Sequence, residues 1–107
     1  MADTKLPGLG GFVDQTITAG NSLTMTKRTY GKALSIIVEP ASGATATLEV
    51  SLSSDADIAA DTAHWYTEYT GTGGYAGVIE ADRRITGVRV TAADAAVVFQ
   101  ARANTDL

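Results

Sequence analysis

The 107-residue chain has no cysteine, one histidine, one tryptophan and two prolines. Without thiols it forms neither a disulfide nor a thiolate metal site, so a small fold must rely on packing or on partner subunits. A Ser-His-acid hydrolase would have His64 as its only base, and no Gly-x-Ser-x-Gly elbow offers it a serine. His64 therefore reads as a partly exposed structural residue, and the chain as a non-enzyme without a cofactor. No segment approaches the roughly 20 apolar residues of a membrane span. The N-terminus, MADTKLPGLGGFVDQ, lacks a positively charged start followed by an apolar run. Neither a membrane partner nor a signal peptide is expected. Runs of like charge never exceed two residues, and eight basic against twelve acidic side chains give a net charge of −4. That balance argues against a chain built to neutralise nucleic-acid phosphates.

What is present is the composition of a folded domain: 45% hydrophobic and 19% charged residues. A chain of this length supports one core. Residues 1–11 hold one proline and three glycines with little periodicity, which predicts a flexible, extended N-terminal arm ahead of a single domain over 12–107.

From Phe12 onward, short β-type runs alternate with turn signals: Phe12–Thr18, Ser22–Arg28, Ala33–Glu39, Thr45–Ser53, His64–Thr70, Tyr75–Glu80, Arg84–Thr91 and Ala95–Arg102. Leu34, Ile36 and Val38 share one face; Leu48, Val50 and Leu52 share another; Val88 and Val90 flank Arg89. Ile37 stands with the polar set of its run, which predicts a central strand covered on both sides. Ala19-Gly20-Asn21 signals a tight hairpin, Pro40-Ala41-Ser42-Gly43 a turn with glycine at positive φ, and Thr91–Asp94 a short turn. Ser54–Ala63, SDADIAADTA, has the length of a crossover between sheets, as a loop or a helical turn. Eight amphipathic strands that must each bury a face predict an all-β fold, an antiparallel β-sandwich or jelly roll of about eight strands with an extended N-terminal arm.

Motifs for chemistry are weak. Asp55, Asp57 and Asp61 share one loop, but without the glycine and terminal glutamate of an EF-hand they read as capping acids, and no metal is expected. Gly71-Thr72-Gly73-Gly74 lies between strands with no following helix, so it reads as a hairpin and not a phosphate cradle. Glu39, Glu49, Glu68 and Glu80 all fall on predicted strands, yet nothing in the sequence brings two of them to one cleft. Arg83, Arg84 and Arg89 predict a basic patch near Arg102 on a wet strand face or guarded edge.

The stretch HWYTEYTGTGGYAG, residues 64 to 77, concentrates four of the seven aromatics. In an extended strand Trp65, Thr67 and Tyr69 project to one side and His64, Tyr66, Glu68 and Thr70 to the other. One reading puts Trp65 and Tyr69 in the core and lays Tyr66 over a sheet face. The other exposes Trp65, Tyr66 or Tyr75 as anchors for a subunit or a sugar.

The segments "LEVSLSSDADIAADTAHWYTEY" (Leu48–Tyr69) and "GVIEADRRITGVRVTAADAAVVFQAR" (Gly77–Arg102) resemble small β-sandwich virion proteins of tailed bacteriophages. The resemblance covers about half of the chain and rests on pattern. It implies a structural protein on the virion, assembled in the bacterial host cytoplasm: a decoration or cement protein that binds the outside of the head and stabilises contacts between major capsid subunits. It further implies self-association, as a homo-oligomer of trimeric kind. On that reading Lys5, Leu6, Pro7, Leu9 and Phe12 of the arm, with Trp65, Tyr66 and Tyr75, contact partners. A carbohydrate-binding module, or a neck, tail or fibre component, are the alternatives.

Overall fold

The computed structural model describes residues 3–6, 12–26, 33–80 and 83–103. Among them are nine strands, β1 (Asp3–Leu6), β2 (Phe12–Ile17), β3 (Asn21–Thr26), β4 (Leu34–Pro40), β5 (Ala46–Ser51), β6 (Tyr66–Gly71), β7 (Tyr75–Ile79), β8 (Gly87–Ala92) and β9 (Val97–Ala103), and one short helix, α1 (Asp55–Ala59), between β5 and β6. The eight expected strands are all present, and β1 is an addition.

Alternation drives the two sheets together. Leu34, Ile36 and Val38 of β4, Leu48 and Val50 of β5, Val88 and Val90 of β8, and Val97 and Phe99 of β9 are buried between them. Burial of each such side chain stabilises the fold by about 1.5–3 kcal/mol. One sheet has the order β1-β3-β8-β5-β6 and the other β2-β9-β4-β7. The antiparallel pairs β2 with β9, β3 with β8, β4 with β7 and β5 with β6 are those of a long hairpin rolled around a core, a jelly roll.

This topology corrects the reading of the connections. Residues 18–20, 41–45 and 93–96 are short, but each joins strands of different sheets, so Ala19-Gly20-Asn21 is a corner and not a hairpin. The long segment Ser54–Ala63 was expected to cross between sheets; it links β5 and β6, neighbours in one sheet. The corners fasten to one another: Gly20 N–H donates to Ala92 O at 2.7 Å, Ala41 N–H to Ala96 O at 2.9 Å, and Thr45 N–H to Asp94 Oδ1 at 2.8 Å. Gly43 takes positive φ (80°), as its turn requires.

Two side chains depart from their expected faces. Leu52 lies beyond the end of β5 and is exposed, so it does not join Leu48 and Val50 in the core. β4 is an interior strand of its sheet, as expected, but Ile37 on its outer side remains 45% exposed.

The N-terminal residues differ from the expected free arm. Asp3–Leu6 forms an edge strand parallel to β3, with Thr4 opposite Leu23 and Lys5 opposite Thr24. Side chains hold it in place: Asp3 Oδ1 accepts from Ser22 Oγ at 2.8 Å and from Thr24 Oγ1 at 2.9 Å, and Lys5 Nζ reaches Asp61 Oδ1 at 2.8 Å. A four-residue segment with one β-branched residue carries little strand signal of its own, so its position depends on these tertiary partners.

Candidate functional site

The aromatic stretch sits at an irregularity in the sheet. Along the β5–β6 ladder Leu48 faces Tyr69, but the next residue, Glu49, faces Thr67, so Glu68 is an extra residue on β6. Such a β-bulge reverses the alternation of side chains on either side of it. Tyr69, opposite the buried Leu48, packs on the core, whereas Thr67 lies with Glu49 on the outer face. The expectation that Trp65, Thr67 and Tyr69 share one side is corrected by that single inserted residue.

Trp65 packs outside the sandwich core. Arg89 lies over its ring, with the guanidinium carbon 4.4 Å from the ring centre, and Arg89 Nε donates to Glu49 Oε1 at 2.9 Å. A Cβ on Gly87 would come within 2.7 Å of Ile58 Cδ1 and 3.3 Å of Trp65 Cη2. Gly87 alternates with the core residue Val88, so α1 and the indole cover the outer face of the five-stranded sheet, with Ile58 buried beneath α1. Ser54 caps this helix by accepting from Asp57 N–H at 3.1 Å. Asp57 Oδ1 accepts from Thr62 Oγ1, and Asp61, at positive φ, receives Lys5. The cap is thus Ser54 and not one of the loop's aspartates: Asp57 and Asp61 bind Thr62 and Lys5, and no group of three potential metal-ligating side chains occurs among the described residues.

Beside Trp65 a groove of about 490 Å³ opens at the end of the core. Val50 and Ile85, both buried core residues, form part of its lining, together with Leu52, His64, Trp65, Tyr66 and Arg83. Tyr66 follows the pairing of Val50 and leans from the edge strand with 70% of its surface exposed; Leu52 is 67% exposed. Arg83 is held in a bidentate pair, Nη1 and Nη2 donating to the two carboxylate oxygens of Glu68 at 3.0 and 2.9 Å. These bonds hold the Glu68 carboxyl below the usual carboxylate range and raise the Arg83 guanidinium further. The extra residue of the bulge, Glu68, thus holds Arg83 in the wall of the groove.

The remaining expected residues separate. Tyr75 packs against Tyr69 with ring centres 5.5 Å apart and does not line this groove. Lys5 is engaged by Asp3 and Asp61, which raise its pKa. Pro7 and Leu9 lie outside the described residues, as do the side chains of Leu6 and Phe12. The expected arginine patch does not form as one surface: Arg83 pairs with Glu68 and Arg89 with Glu49, while Arg102 belongs to the opposite sheet. Leu52 and Ile85, the apolar partners of Tyr66 in the groove, were not singled out by sequence reasoning as site residues; alternation put Leu52 on the core face of a strand over 45–53, and the structure ends that strand at Ser51. Among the described residues no helix is long and apolar enough to cross a membrane. Compared with known proteins, the chain matches no family model and no curated sequence.

Proposed function

We propose that the chain is a non-enzymatic capsid decoration protein of a tailed bacteriophage, which attaches to the outside of the head and clamps adjacent major capsid subunits. The observation that carries this reading is the pairing of two large exposed apolar side chains, Leu52 and Tyr66, at a groove floored by core residues. Aromatic and aliphatic anchors gathered in a pocket are what a protein interface requires, and they are costly to leave in water. The resemblance of Leu48–Tyr69 and Gly77–Arg102 to phage virion proteins covers this same groove and supports the assignment of the partner. Each copy would contribute a modest contact, and repetition over a symmetric lattice multiplies it.

The sugar-binding alternative calls for a row of solvent-facing rings. Of its three candidates, Trp65 lies under Arg89 and Tyr75 against Tyr69, which leaves Tyr66 alone. Labelling of purified virions with an antibody against the chain tests the proposal. Label on the head surface is the expected result; label on tail or fibres only, or none on the particle, overturns it.

A further inference from the structure

The edge of β3 is a built receptor for an extended segment. Ser22 and Thr24 are only 4% and 3% exposed, and both turn their hydroxyls to the Asp3 carboxylate. Asp61 at the end of the helical connection supplies a second point of attachment, for the ammonium of Lys5. The receptor thus reads a carboxylate and, two residues later, an ammonium along a strand that runs parallel to β3. When that strand leaves, Ser22 and Thr24 exchange the Asp3 carboxylate for water, so the seat is favoured by the difference between those bonds.

β1 is four residues long and forms the sole parallel pair among the described strands. Short strands at a sheet edge open at the low end of a protein's range of local stabilities. Residues 7–11, which join it to β2 at the edge of the other sheet, read Pro-Gly-Leu-Gly-Gly.

We propose that β1 is exchanged between copies, so that the Asp3–Leu6 strand of one chain seats against β3 of a second. The partner is fixed by chemistry: a second copy carries the same Asp-x-Lys strand, and every bond made within one chain can be made between two. Only the path of residues 7–11 differs, which is the condition under which strand exchange is a low-cost route to assembly. Tethering favours the intrachain seat with an effective concentration on the order of millimolar. Copies held side by side on a capsid reach comparable local concentrations, so the exchange rests on the decoration reading for its setting. Each copy gives one strand and receives one, so a closed ring of three leaves no receptor empty.

The absence of native cysteine makes the test direct. One batch carries Thr4→Cys and a second carries Leu23→Cys, opposite residues in the β1–β3 register, and the two are mixed in a glutathione redox buffer at about 1 mM protein. No intrachain disulfide can form, so a mixed disulfide dimer reports a strand seated on another copy. At least tenfold more mixed dimer than with Thr67→Cys on β6 in place of Leu23→Cys is the expected result. A yield no higher than that control overturns the proposal, and because no capsid is present, this outcome leaves the head-binding reading to its own test. Leu6→Cys with Met25→Cys, the register pair two residues further along, repeats the measurement should Leu23→Cys unfold the chain.

Discussion

Arg89 stacks on Trp65, and through that contact an inner strand of the five-stranded sheet is tied to the residue just before the edge strand β6. The indole is shielded on one side by the guanidinium and on another by Ile58 and Gly87, so the outer face of the sheet carries a small apolar layer of its own. Trp65→Ala should destabilise the chain by about 2 kcal/mol, less than the 3–5 of a fully buried aromatic. Urea unfolding followed by circular dichroism checks this; a loss under about 0.5 kcal/mol, the range of ordinary surface changes, would contradict the layer.

Gly87 has no space for a side chain. Gly87→Ala presses a methyl group against Ile58 Cδ1 and should cost about 1 kcal/mol. In an Ile58→Val background that terminal carbon is gone, and the same substitution should cost clearly less. A double-mutant cycle measures the difference, and strictly additive effects would show that the two residues do not compete for this space.

The docking of β1 depends on pH with a determined sign. Burial works against the Asp3 charge, but hydrogen bonds from Lys5, Ser22 and Thr24 outweigh it and hold the carboxyl below its ordinary range. A depressed carboxyl contributes stability above the unfolded value of about 4 and loses it as pH falls through the folded one. Lys5, raised by Asp61 and Asp3, contributes below about pH 10.4 and loses its contribution as pH rises through its own folded value. Amide exchange of residues 3–6 should therefore be slowest between these limits and quicken in acid before the core opens. Asp3→Asn should weaken the seat by about 1–2 kcal/mol and remove the acid step. An unchanged acid step in that variant would assign it to another group.

Leu52→Ser and Tyr66→Ser should leave stability within about 0.5 kcal/mol of the parent, because both side chains face water. If the groove anchors a capsid partner, the double variant should lose head binding by a hundredfold or more, as removal of two central anchors does at about 1–2 kcal/mol or more each. Retained binding in co-sedimentation with purified heads would move the contact to another face.

The eight strands of the sandwich were legible because each needs one buried side, and a period of two records that need in the chain. Phe99, Val90 and Leu48 lie in the core where alternation places them. The assignment of strands to sheets was not legible: a corner such as Thr18–Asn21 uses the residues of a hairpin turn, and only the packed partner decides whether the chain reverses within a sheet or crosses between two. Glu68 left no mark as a bulge, since nothing in YTEYT distinguishes a regular strand from one with an extra residue. Its effect was large all the same, because one inserted position reverses the faces of Trp65 and Tyr69 relative to each other. Of the eight expected partner residues, Trp65 and Tyr66 line the groove together, whereas Tyr75 lies apart from it. Asp3, which no pattern marks, proved to be the anchor of the N-terminal strand because its partners are 19 and 21 residues away.

The rolled hairpin has a consequence for how the chain is made. Every antiparallel ladder joins a strand that precedes the helical connection to one that follows it. When a ribosome has translated the first 60 residues, β2, β3, β4 and β5 have been made without any antiparallel neighbour, and β1 on β3 is the one pairing among the described residues of that stretch. Native structure must then arrive late and nearly all at once, as the second half is released and runs back along the first. Topologies built from such distant pairings fold slowly. A ribosome stalled at the glycine turn, residues 71–74, would hold a nascent chain that owns more than half of its core residues and two strands of the four-stranded sheet, but none of that sheet's ladders.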